Sequence, residues 1–147
     1  MSRHTAREKA FKFLYQQEFH PINHGKLKED FLRFDPIDVP EDLDYFERLT
    51  EGVNANWNVI DDIIEQYLRG WTMDRQLLID LSILRVAVFE MLFDTEVPVE
   101  IAISEAVIFA NEYGTDESRA FINAVLGNID KNEQPRTGAH TPDECCQ

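Results

Sequence analysis

Residues 83–129, ILRVAVFEMLFDTEVPVEIAISEAVIFANEYGTDESRAFINAVLGNI, carry helix-period patterns divided by two stop signals. Together with the residues just before it, this stretch decides the fold. Leu77, Leu78, Leu81, Leu84, Val88, Phe89 and Leu92 place apolar side chains around most of a helix over Leu77–Phe93, which predicts a central, buried one. Residues 94–98, DTEVP, stop it. Pro98 suits the opening of the next helix, because its missing amide donor would find no partner in a first turn anyway. Ile103, Ala106, Val107, Ala110 and Tyr113 then follow at helical spacing, and Gly114 ends the run. Thr115 or Asp116 offers a side-chain oxygen to cap a third helix, whose buried face is Ser118, Ile122, Val125, Leu126 and Ile129, with Phe121 at the edge of that stripe.

Working back toward the N-terminus, Ala6, Ala10, Phe13 and Leu14 put an apolar stripe on a first helix, with Arg3, Arg7 and the lysines largely outside it. Pro21, Asn23 and Gly25 close that helix. Residues 26–34 predict a short helix with Leu27, Phe31 and Phe34 inward, and 35–42 read as a loop. From Glu41 to Arg69 the apolar positions fit one long helix or two broken near Asn54–Asn56, with Gly70 as the stop. No strand pattern or internal repeat is visible. The fold class is therefore all-α, a helical bundle over residues 1–131. Residues 132–147, rich in turn formers and poor in apolar side chains, are expected to be a disordered tail.

With 147 residues, 44% of them hydrophobic, the chain can bury one core without disulfides or a metal. Its only cysteines, Cys145 and Cys146, are adjacent and staple nothing. There is neither a membrane-length apolar run nor a secretory signal, so the expected location is the cytoplasm. The net charge of -14 argues against nucleic acid in bulk. Its distribution is uneven, however. Residues 1–15 hold Arg3, Arg7, Lys9 and Lys12 against Glu8 alone, whereas 86–118 contain many carboxylates and no Lys or Arg.

Arg3 and Arg7, four apart on a helix, are placed to reach successive phosphates, and an ordinary solvated helix start is the competing reading. Arg85 interrupts the most apolar helix and needs a carboxylate partner such as Glu90 or Glu105. No phosphate loop, nucleophile elbow or metalloprotease motif is present. His20 and His24 are separated by Pro21, which disfavours a helical metal pair. The residues point to no enzyme, no cofactor and no metal.

ILRVAVFEMLF followed by VPVEIAISEAVIFANEYGTDESRAFINAVLGNI, with AREKAFKFLYQQEF at residues 6–19, resembles the NusB family of bacterial transcription antitermination factors. That helical domain also occurs at the N-terminus of an rRNA cytosine methyltransferase. The resemblance lies at the two ends of the chain, and residues 20–76 match mainly in helical character. It implies six or seven helices in two small sub-bundles. It further implies that the first helix and the start of the last hold single-stranded box A RNA of rRNA operon leaders. By matched position, Arg3, His4, Arg7 and Lys9 would lie on the backbone and Phe121 would offer its ring to a base, a stack worth about 1 to 3 kcal/mol. The turn with Asp116 and Glu117 would border the RNA. The exposed side of the central helix, including Asp80, would dock the ribosomal protein NusE, whose basic character suits an acidic surface. The assembly would ride on RNA polymerase.

The chain departs from the family in one respect, since Arg3-His4-Thr5 stands where a fuller arginine run is common. That thin basic start favours the alternative reading, an acidic helical protein-interaction module with little RNA binding of its own. Whether the free protein is a monomer or a homodimer that hides the RNA surface stays open.

Overall fold

The computed structural model describes residues 3–20, 24–68, 76–94 and 96–135. They form α1 (His4–Gln17), α2 (His24–Phe34), α3 (Pro40–Ala55), α4 (Trp57–Gln66), α5 (Leu78–Phe93), α6 (Val99–Tyr113) and α7 (Ser118–Asn132), with no strand among the described residues. The central helix expected over 77–93 is α5, and every residue from Asp80 to Leu92 is buried. A helix that is apolar all round can only be stable with neighbours on every side. α1 and α3 cover one flank of α5, while α4, α6 and α7 cover the other. The two sub-bundles thus share α5 and one continuous core.

In the first sub-bundle, Phe31 stacks on Phe46 at 5.9 Å between ring centroids, and Phe13 meets both edge-on. Burying such a ring stabilises the fold by about 1.5 to 3 kcal/mol. α3 crosses α5 closely at Gly52, where an added Cβ would fall 2.3 Å from Phe89 ring carbons. The long pattern from 41 to 69 is two helices. Asn56 separates them by donating its side-chain amide to the Gly52 carbonyl at 2.8 Å, which ends α3 before α4 restarts.

Several boundaries differ from expectation. Gly25 lies inside α2 rather than in the closing turn. Phe34 is 91% exposed rather than inward, because α2 is a peripheral helix that buries Phe31 and half-buries Leu27, and its last residue lies past that contact. Pro98 precedes α6 instead of entering it. α7 extends through Asn132, and Glu133 still accepts the Tyr67 hydroxyl at 2.6 Å. Gly70 and residues 136–147 lie outside the described residues.

Candidate nucleic-acid interface

The basic start of α1 is matched, cation by cation, with carboxylates from elsewhere in the chain. Arg3 lies 3.8 Å from Glu96, with its guanidinium 4.2 Å above the Tyr45 ring. His4 sits 2.9 Å from Glu105 and stacks on Phe109 at 4.9 Å. Lys9 pairs with Asp35. Arg7 is buried, donating Nε to both Glu90 oxygens at 2.8 and 3.0 Å and a second nitrogen to Glu105 at 3.4 Å. The expectation that Arg7 faces water or a ligand is therefore corrected. α1 buries Ala6, Arg7, Ala10, Phe11, Phe13, Leu14 and Gln17, a face wide enough to include position 7. Phe11, one turn after Arg7, carried the signal.

Glu90 is also reached by the Tyr45 hydroxyl, which lies 3.0 Å from Asp94 as well, and Asp94 accepts from Arg48 at 3.0 Å. Burial pushes the Glu90 carboxyl upward despite Arg7, and burial with the Glu90 charge raises the Tyr45 phenol. For Arg7, burial acts downward, but the Glu90 bond and charge outweigh it and hold the guanidinium charged. α1, α3 and α5 are thus tied by a charged network that the sequence reading did not assign. Its signal was Glu90 itself, a carboxylate in a helix apolar on all sides, where an unpaired charge is costly.

At the other end of α5, the first turn of α7 closes over Asp80. Gly114 lets Ser118 fold back, since a Cβ there would fall 2.4 Å from the Ser118 oxygen. Ser118 Oγ accepts the Thr115 amide and donates to Asp80 Oδ2, each at 2.9 Å. Thr115 Oγ1 accepts the Glu117 amide at 3.3 Å in the turn before α7, but Glu117 is the N-cap and no side chain caps the helix, so neither Thr115 nor Asp116 plays the expected capping role. Asp80 is only 4% exposed, which corrects its expected place on an open docking face. Its Oδ1 has no hydrogen-bond partner, and burial raises its pKa. Asp80 also lines a recess of about 360 Å³ with Gln76, Leu77, Thr115, Glu117, Ser118 and the half-buried Phe121.

Arg85 is buried and paired, as expected, but its partners are Asp61 at 2.8 and 3.1 Å and Glu18 at 2.6 Å, with Trp57 beneath the guanidinium at 4.1 Å. Glu90 lies five residues on, about 140° around the helix, and faces α1 instead. Among the described residues no group of three or more His, Cys, Asp or Glu is placed to hold a metal.

The site residues therefore divide. Arg3, His4 and Arg7 gather near the Glu90 end of α5, Lys9 turns instead to Asp35 after α2, and Phe121 stands over Asp80, ten residues from Glu90 and roughly 15 Å along the axis. An extended ligand would have to bridge that distance.

A model of the NusB family matches residues 4–131. The transcription antitermination protein NusB of Bacillus cereus is 42% identical over 130 residues, covering 88% of this chain and 97% of that protein. Its counterpart from Streptomyces avermitilis is 36% identical, covering 87% and 90%. Among solved structures, NusB of T. maritima superposes with a TM-score of 0.83 at 33% identity, covering 92% of this chain and 94% of that one. A crystal structure of the antitermination factors NusB and NusE in complex with dsRNA gives 0.80 at 26% identity, covering 89% and 98%.

Proposed function

The chain belongs to the NusB family, and from that premise we propose that it binds box A RNA of rRNA operon leaders together with NusE and promotes processive transcription in the cytoplasm. It is a regulatory protein rather than an enzyme. The observation that carries the RNA reading is the recess beside Phe121. A half-buried aromatic ring offers a face to an unpaired base, and Thr115 and Glu117 stand beside it in the same recess. Arg3 and His4 would meet the backbone at the other end of α5, and Lys9 further along α1. Arg7 would support them from beneath by holding Glu90 and Glu105.

The partner NusE, a basic ribosomal protein, fits the acidic body, with its charge of -14. Joint binding would raise RNA affinity by adding a second, cationic surface, and the complex would act on RNA polymerase. A second reading has its own support: each of Arg3, His4, Arg7 and Lys9 already faces a carboxylate, so the start of α1 offers little unopposed positive charge. On that reading the chain is an acidic docking module with little RNA binding of its own. Fluorescence anisotropy of labelled box A RNA, beside a scrambled RNA and with or without NusE, separates the two. Sequence-dependent binding that NusE strengthens supports antitermination; partner binding without RNA discrimination supports the docking module.

A further inference from the structure

We infer that Arg48, on α3, forms with Arg3 a phosphodiester-binding clamp that Glu96 occupies as an internal stand-in for the phosphate. The inference rests on the RNA reading above and extends it to a helix which that reading leaves out. A single Glu96 oxygen lies 3.8 Å from Arg3 and 4.0 Å from Arg48, so two guanidinium groups converge on one carboxylate. Both cations are held from behind, Arg3 by the face of Tyr45 and Arg48 by the fully buried Asp94 at 3.0 Å. Asp94 also accepts the Glu96 amide at 3.2 Å, which sets the turn that presents Glu96 to the pair. Each cation thus has a second contact behind it, whereas the Glu96 side chain is 65% exposed and makes no contact to either arginine as short as a hydrogen bond.

An exposed pair of this kind is easily displaced, and a phosphodiester, like the carboxylate it would replace, offers two oxygens to guanidinium forks. Glu41, Asp42 and Asp44 line the adjoining recess with Arg3 and Arg48. They limit the site to one phosphate at the Glu96 position and keep further anions out. The strand leaving Arg3 would therefore cross onto α3 at this single point.

The test is RNA anisotropy with the full chain carrying Glu96→Gln, Arg48→Gln or both, with Glu100→Gln as a control for net charge. Glu96→Gln should tighten box A RNA roughly two- to fivefold beyond the control. Arg48→Gln should weaken binding, lower the slope of log affinity against log salt by about 0.7, and abolish the gain from Glu96→Gln. Because Arg48 also neutralises Asp94, its variant can lose stability; Glu96→Gln, on an exposed turn, does not share that risk. Equal effects of Glu96→Gln and Glu100→Gln, or a Glu96→Gln gain that survives loss of Arg48, would overturn the clamp. If the wild type discriminates no RNA, the RNA reading fails by itself. The clamp is then read with tripolyphosphate by NMR of the arginine Nε–H signals. An Arg48-dependent response enhanced by Glu96→Gln keeps it, and no response removes it.

Discussion

Arg7 and Glu90 stand 83 positions apart in the chain, yet Arg7 Nε donates to both Glu90 carboxylate oxygens at 2.8 and 3.0 Å in the core between α1 and α5. The arginine most open to a functional reading in the sequence is thus a structural bond between the N-terminal helix and the central one. Removing either partner leaves a charge buried without its counterpart, which costs about 3 to 5 kcal/mol. Arg7→Ala and Glu90→Gln should each destabilise the protein by that order in urea unfolding. A double-mutant cycle should return a coupling of at least about 1 kcal/mol. Independent, additive losses would show that the pair is not a unit.

Asp80 should make stability depend on pH in a definite direction. Burial raises its folded pKa above the ordinary value of 3.8, so the folded state keeps the proton longer than the unfolded state does. Its penalty is absent at pH below 3.8, grows as pH rises through the raised value, and is complete above it. Asp80→Asn lacks this titration. Relative to wild type it should therefore gain stability steadily from acid to neutral pH, as read by thermal unfolding across that range. A difference independent of pH contradicts the assignment.

Two helical glycines should respond oppositely to alanine. At Gly52 a Cβ would fall 2.3 Å from the Phe89 ring, so Gly52→Ala should cost about 1 to 3 kcal/mol. Shortening the ring with Phe89→Leu should relieve part of that loss. At Gly127, on α7, nothing lies within 4 Å, and Gly127→Ala should stabilise by about 0.4 to 1 kcal/mol. Denaturant midpoints of the three variants decide the matter, and a neutral Gly52→Ala would mean that α3 and α5 can separate freely.

Phe121 should separate binding from folding. Phe121→Ala is expected to weaken box A RNA by about 1 to 3 kcal/mol, whereas Phe121→Trp retains a stacking face and should bind nearly as the wild type does. Circular dichroism with anisotropy distinguishes this from general unfolding. Equal RNA affinity for both variants would remove the ring from the interface.

Chain order and periodicity determined the helical architecture. The all-round apolar run of α5 required a central place, and Gly114 and the residues around Pro98 marked the ends of its successors, because local backbone chemistry sets where a helix can begin and stop. The C-terminal motif also carried the family. Periodicity shows which face of a helix is apolar, but not what a charged residue at its margin will meet. Only tertiary packing decided that Arg7 faces Glu90, that Arg85 turns to Asp61 and Glu18 instead of Glu90, that Asp80 lies beneath α7, and that Phe34 stays in water. Each depends on the rotation of one helix against another and on groups far away in sequence. Burial then determines whether a charge is an accessible ligand or an internal tie.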